Sequence, residues 1–249
     1  MTESAHMRAA SPDARIVLTR SAEDCESWAA SLHERGYETV SLPCIETRSY
    51  RSPSLRVALT DAIAEADWLV LTSQRGVSAL TALLDRPLPE QLRVAVVGAA
   101  TARAAVALVG RADFVASEAT AAGLANELAE TLKPRHLKLV LALAENAGDV
   151  LAQTLAEAGQ HCRRFDVYRT IPAATPDKRR TLEEIGGYTV FLASPSAVLG
   201  FVNQVAIDET ARLVSIGPST TAAIERAGLS VHAQAATPSL AGMLEAIED

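Results

Sequence analysis

The sequence predicts an α/β protein built as two similar lobes, each a parallel sheet covered by helices on both faces. The first observation is a repeat. Asp67-Trp-Leu-Val-Leu-Thr-Ser-Gln-Arg-Gly-Val-Ser-Ala-Leu80 is answered by Tyr188-Thr-Val-Phe-Leu-Ala-Ser-Pro-Ser-Ala-Val-Leu-Gly-Phe201, and Val94-Ala-Val-Val-Gly-Ala-Ala-Thr-Ala102 by Leu213-Val-Ser-Ile-Gly-Pro-Ser-Thr-Thr221. The second is the grammar of each copy: a short apolar run ends in small polar residues and then turns helical, the alternation that makes parallel sheets. The third is length, since 249 residues accommodate two domains of about 100–130 residues each.

Arg15-Ile-Val-Leu-Thr19 reads as a buried strand, followed by a helix with Cys25, Trp28, Ala29 and Leu32 at helical spacing and Gly36 as its stop. Leu137-Lys-Leu-Val-Leu-Ala-Leu143 repeats that unit, with Val150, Leu151, Leu155 and Ala158 on its helix and Gly159 as the stop. Each half therefore holds three strand-helix units, one running from Arg15 to Lys133 and the other from Leu137 onward. Beyond these three, a further unit in each half also corresponds: Val115–Thr120 precedes a helix with Leu124 and Leu128, and Val231–Thr237 one with Leu240, Leu244 and Ile247. Two segments, Leu42–Pro53 and Phe165–Pro176, alternate apolar and polar residues before reaching proline, and read as connections that pair as two strands between the lobes.

Composition excludes several functions. The net charge is −7 and 4% of residues are aromatic, whereas nucleic-acid binding calls for clustered cations or stacking platforms. The richest basic cluster, Lys178-Arg179-Arg180, is offset by Glu183 and Glu184 and reads as a solvated helix start. Cys25, Cys44 and Cys162 lack C-x-x-C spacing and are expected as thiols in a reducing compartment. Met1–Asp13 lacks the apolar run of an export signal, and no stretch is long enough to span a bilayer, so a soluble cytoplasmic monomer is expected. The absent signal also argues against a periplasmic-type solute receptor.

His6, His33, His136, His161 and His232 are scattered without ligand spacing, so no metal is expected. The phosphate-cradling and nucleophile-elbow motifs are missing as well, and no cofactor is expected. What remains are turns between a strand and the next helix: Thr72-Ser73, Gly98-Ala-Ala-Thr101, Ser194-Pro-Ser196 and Gly217-Pro-Ser-Thr220. Helix N-termini present unpaired N–H groups and partial positive charge, so each turn either caps its helix or binds an anion. Ligands of open parallel sheets bind at the carboxyl ends of strands, where all four turns lie.

These turns, in this order, resemble uroporphyrinogen-III synthases. The matching residues are Leu18-Thr-Arg20, Gly36, Leu71–Val77, Val97-Gly98, Thr101-Ala102, Gly110, Val167-Tyr-Arg-Thr170, Phe191–Val198, Ile216–Thr220 and Thr237-Pro238. The resemblance implies two flavodoxin-like, doubly wound lobes joined by a two-stranded linker. It makes the first domain discontinuous, residues 1–42 plus 172–249, with 53–165 as the second and linkers at about 43–52 and 166–171. It further implies cyclisation of hydroxymethylbilane, a linear tetrapyrrole with eight carboxylates, to uroporphyrinogen III with loss of water and inversion of the last ring through a spiro intermediate. The substrate's own pyrroles supply the electrons, so no cofactor is called for.

By match to the family, Tyr168 assists the departing hydroxyl as an acid; its alternative is a strand tyrosine packing the ladder. Thr72, Ser73, Gly98, Thr101, Ser194, Ser196, Gly217, Ser219 and Thr220 are expected to hold carboxylates, and Arg20 to pair with one. Two positions depart from the family: Gly148 stands where an arginine is common, and Ala193 where a threonine is. They leave open a paralogue that binds an anion or tetrapyrrole without catalysis.

Overall fold

A computed structural model describes residues 15–133 and 136–248. The readings of Met1–Asp13 and His6 lie outside the described residues. In chain order, β1 (Arg15–Leu18), α1 (Ala22–His33), β2 (Glu38–Ser41) and β3 (Ile45–Ser49) come first. They are followed by α2 (Pro53–Glu65), β4 (Trp68–Leu71), α3 (Gln74–Leu83), β5 (Arg93–Val96), α4 (Ala99–Val109), β6 (Phe114–Val115) and α5 (Ala121–Leu132). Next are β7 (Lys138–Ala144), α6 (Val150–Glu157), β8 (His161–Pro172), β9 (Arg180–Thr181) and α7 (Leu182–Ile185). The remaining elements are β10 (Thr189–Leu192), α8 (Pro195–Gln204), β11 (Val205–Ala206), β12 (Arg212–Ser215), α9 (Pro218–Arg226), β13 (Ala233–Gln234) and α10 (Leu240–Glu248). Among the described residues no helix is long and apolar enough to cross a membrane.

The chain divides into two compact units: one takes the residues up to Glu46 and again from Ile171, the other Thr47–Thr170. The first unit's sheet runs β2-β1-β10-β12-β13 with every pairing parallel. Counted within that unit, the order is 2-1-3-4-5, the doubly wound pattern of flavodoxin-like folds. The second unit's sheet runs β3-β8-β7-β4-β5-β6. Here β7 and β8 occupy the places that β1 and β2 take in the first unit, so the second sheet is a circular permutation of the first, with β3 added at its edge.

Burial on both faces explains the uninterrupted apolar runs. In β1, Ile16 and Leu18 join the layer under α1 and α10, and Val17 the layer under α7, α8 and α9. In β4, Leu69 and Leu71 face α2, α3 and α4, and Trp68 and Val70 face α5 and α6. Each such side chain contributes about 1.5–3 kcal/mol by leaving water. Gly36 and Gly159 end their helices at φ +84° and +82°, a left-handed geometry glycine adopts without penalty.

The segment Leu42–Pro53 gives way to a helix at its last residue: Ser52 caps α2, with Pro53 in its first turn, and Leu59, Ala62 and Ile63 bury its inner face. Two expectations need correction. The strand expected from Phe165 begins earlier, at His161, because it pairs with β7 along its length. The basic cluster does not start a helix either. Arg180 belongs to β9, which pairs with β11, and Thr181 caps α7 in a reciprocal capping box with Glu184.

β3 and β8 lie side by side and run antiparallel. Tyr50 N–H donates to the Val167 carbonyl at 2.9 Å and Ala173 N–H to the Cys44 carbonyl at 2.8 Å, so one strand's numbers fall as the other's rise. In the first unit α8 approaches this run closely. A Cβ on Gly200 would lie 1.7 Å from the Cys44 carbonyl oxygen.

Candidate active site

A doubly wound sheet binds ligands outside the carboxyl ends of its strands where the strand order reverses. In the first unit that point lies between β1 and β10, and in the second between β7 and β4. Arg20 follows β1, Ser194 and Ser196 follow β10, and Thr72 and Ser73 follow β4; Tyr168 lies on β8 beside β7. Gly217, Ser219 and Thr220 after β12, and Gly98 and Thr101 after β5, sit one strand further out.

The duplication reaches the backbone angles. Ser73 (φ −163°, ψ 155°) caps α3 and Ser194 (φ −168°, ψ 159°) caps α8. Their Oγ atoms accept from Gly76 N–H at 2.9 Å and Ala197 N–H at 3.2 Å. Gly98 (φ 169°, ψ 176°) and Gly217 (φ 167°, ψ −179°) open α4 and α9 without a side-chain cap. Those angles suit any residue; the missing side chain is what matters, because the first-turn N–H groups keep no acceptor from it. In α9, Pro218 lacks an N–H and Thr220 N–H turns back to the Gly217 carbonyl at 3.0 Å. Thr101 and Thr220, each three residues past the glycine, are buried, and the Thr220 hydroxyl has no partner among the described residues. A buried orphan hydroxyl costs about 1–3 kcal/mol. Ser196 is half-buried in the first turn of α8, and Ser219 is exposed.

Tyr168 is aimed by a bulge. β7 pairs Leu143 with Asp166 but Ala144 with Tyr168, which leaves Val167 as an extra residue. Simple alternation from Phe165 would turn Tyr168 to the opposite face from Val167. Instead both pack in the layer with Leu71, Val77 and Ala142. There Tyr168, 7% exposed, brings its hydroxyl 2.9 Å from Ser73 Oγ. Gly76 borders both: a Cβ on it would lie 3.2 Å from Ser73 Oγ and 3.8 Å from Tyr168 Cε1. Ser73 was expected to hold a carboxylate, and the structure joins it to Tyr168.

Arg20 is engaged by its own helix. Its Nε and Nη2 donate to Asp24 Oδ2 at 3.2 and 3.1 Å, and its guanidinium lies 4.6 Å from the Trp28 ring centre. Thr72 is half-buried at the place that Ala193 takes in the other copy. Gly148, by contrast, has open space where a Cβ would stand. Arg164 from β8 grips the same loop, donating to Asp149 Oδ1 at 2.9 Å and to the carbonyls of Ala144 and Glu145 at 3.1 Å. None of the cysteines is in a disulfide among the described residues. Burial pushes the Cys162 thiol up to about 11 and raises Cys25 and Cys44, so none is an activated nucleophile at neutral pH.

The fold and these turns define a class: a duplicated, doubly wound α/β protein with hydroxyls and helix N-termini gathered at the carboxyl ends of its strands. Its family follows from comparison. A family model described as uroporphyrinogen-III synthase HemD matches residues 26–245, and this chain belongs to that family. It is 27% identical over 256 aligned residues to the uroporphyrinogen-III synthase of Synechococcus elongatus, covering 94% of each chain. It is 25% identical to the chloroplastic uroporphyrinogen-III synthase of Oryza sativa subsp. japonica, covering 95% of this chain and 80% of that one. Among solved structures, the uroporphyrinogen-III synthetase of Helicobacter pylori shares the fold, with a TM-score of 0.58, 19% identity and coverage of 93% and 96%.

Two features escaped sequence reasoning. Gly76 carries no signal of its own within the Leu71–Val77 run, although its missing Cβ leaves room for Ser73 and Tyr168. The Tyr50 hydroxyl bonds the Glu145 carboxylate, which pushes that phenol above its usual value. Its sole sequence signal was a tyrosine inside a supposed connection.

Proposed function

We propose that this protein cyclises hydroxymethylbilane to uroporphyrinogen III, with Tyr168 as the acid that assists the departing hydroxyl. The observation that carries this reading is the Tyr168 hydroxyl held 2.9 Å from Ser73 Oγ, beside the point where the second sheet reverses its order. The phenol gives its proton to the terminal hydroxyl as the C–O bond breaks, and water leaves. The adjoining pyrrole nitrogen supplies the electron pair that stabilises the azafulvenium cation. Closure through a spiro intermediate inverts the last ring, and the proton lost as the pyrroles regain aromaticity balances the one Tyr168 gave. No net electrons enter or leave, so the step needs no redox partner.

The substrate's carboxylates suit the donors at the matched turns: Thr72, Gly98, Thr101, Ser194, Ser196, Gly217, Ser219, Thr220, and the Arg20 donors beyond the two that Asp24 takes. Holding the chain folded is the larger part of the catalysis, because unassisted closure gives the uninverted isomer. A cytoplasmic monomer without nucleic-acid or membrane partners is in keeping with the net charge of −7.

The test is to generate hydroxymethylbilane in the presence of the purified protein and resolve the isomers. Uroporphyrinogen III is expected; isomer I alone, with tetrapyrrole bound, would make the protein a binder. Tyr168→Phe should slow turnover by roughly a hundredfold without abolishing it, the lower end of acid catalysis. Unchanged turnover would remove the acid role.

A further inference from the structure

Ser73 and Ser194 stand at equivalent turns with matching backbones, yet their hydroxyls are used differently. Ser194 Oγ accepts from Ala197 N–H. Ser73 Oγ accepts from Gly76 N–H and makes a second bond, to Tyr168 Oη at 2.9 Å. A hydroxyl carries one donor and two acceptor sites. If Tyr168 is to give its proton to substrate, the proton in the Ser73–Tyr168 bond has to come from Ser73. That proton is then unavailable to a carboxylate.

We propose that Ser73 is a positioning residue rather than a carboxylate ligand: it donates its hydroxyl proton to Tyr168 Oη, aims the phenol's own proton at the leaving hydroxyl, and holds the charge left on the oxygen. The proposal rests on the reading of Tyr168 as the acid. Three further features support it. Gly76 N–H, in the first turn of α3, donates to Ser73 Oγ and polarises its O–H, so the bonds run in one direction from the helix N-terminus to the phenol. The bulge at Val167 turns Tyr168 to the face where Ser73 lies. The copies also differ where they should: the first unit has Ala197 at the position of Gly76, and Ser194 bonds only to its helix among the described residues. Unit two thus holds the acid, whereas Ser194 keeps its proton for a ligand.

The experiment compares kcat and KM for Ser73→Ala, Ser73→Thr, Tyr168→Phe and the Ser73→Ala/Tyr168→Phe double variant. Ser73→Ala should lower kcat roughly three- to tenfold, the size of one hydrogen bond, at unchanged KM. Ser73→Thr keeps the hydroxyl and should restore the rate. In the Tyr168→Phe background, Ser73→Ala should cost nothing more in kcat, because its effect passes through the phenol. A raised KM with kcat intact would return Ser73 to carboxylate binding and overturn the proposal. A loss that persists in the Tyr168→Phe background would overturn it while leaving the acid in place. Tyr168→Phe turning over at the wild-type rate would instead remove the acid and the proposal together. Should Ser73→Ala fail to fold for want of its cap, Gly76→Ala carries the same test, alone and with Tyr168→Phe. It keeps the serine and sets a methyl 3.2 Å from Ser73 Oγ.

Discussion

Replacing Gly200 by alanine tests how tightly α8 is seated in the first unit. The added Cβ would lie 1.7 Å from the Cys44 carbonyl oxygen, 2.7 Å from its carbon and 3.1 Å from Ala173 N. The first distance is about half the ~3.3 Å at which carbon meets a carbonyl oxygen. All three neighbours are backbone, and the Cys44 carbonyl accepts from Ala173 N–H at 2.8 Å, so relief by a side-chain rotation is unavailable. Overpacking costs about 1–3 kcal/mol and disturbing that bond about 1–3 more, against about 0.5–1 recovered from helix propensity. A net loss of about 1–5 kcal/mol corresponds to a fall in Tm of roughly 2–20 °C for a chain of this size. The assay is thermal unfolding by circular dichroism, with Gly148→Ala as control because its Cβ meets nothing within 4 Å. A Gly200→Ala melt within about 1 °C of the parent would refute the close seating.

Four shorter predictions follow from the same structure. Gly148→Arg should fold normally and lower KM, since the loop has room for a side chain and the proposed substrate is a polycarboxylate; a raised KM would show that the loop faces away from it. Thr220→Val removes an orphan hydroxyl, so the free protein should melt no lower than the parent, while protection by uroporphyrinogen III weakens. Thr221→Val should cost about 1–3 kcal/mol in denaturant unfolding, because Thr221 Oγ1 links Ser215 Oγ and Gln234 Oε1, both at 2.6 Å. The Glu127 carboxyl is held below its usual value by the Ser117 and Glu118 N–H groups and then the Ser117 hydroxyl. Its contribution to stability is therefore present above the ordinary glutamate value and lost as pH falls through the lowered one. The melting difference between parent and Glu127→Gln should be full near pH 7 and close in acid; a constant gap would contradict the linkage.

Much of the fold was legible because buried parallel strands need continuous apolar runs, and the helices after them announce their caps. The helix over Pro53–Glu65 was missed for a particular reason. Its start, Ser52-Pro53, is also how a connection ends, and its buried apolar residues are only Leu59, Ala62 and Ile63. β2 was invisible because Glu-Thr-Val-Ser has no apolar run; β1 and α1 recruit it to the sheet. Strand-to-helix turns in the site could be read, since Ser and Gly at those positions have few structural meanings. The partnership of Ser73 with Tyr168 could not. It depends on one extra residue in β8 relative to β7, and register between strands is not written in either strand alone.

The permuted order of the two sheets has a consequence for synthesis. Ile16 pairs with Thr189, so the strand that occupies an inner place in the first unit leaves the ribosome long before its neighbour exists. The Thr47–Thr170 stretch carries its unit as one continuous run and can close while the rest is still being made. Until then β1, with α1 and β2, is an unfinished edge with apolar residues on both faces. A chain severed between Lys133 and Leu137 would divide both sheets, because β7 would be parted from β4 and β1 from β10. Two such fragments should recover structure only when mixed, whereas a cut at the unit boundaries would leave the middle piece able to fold by itself.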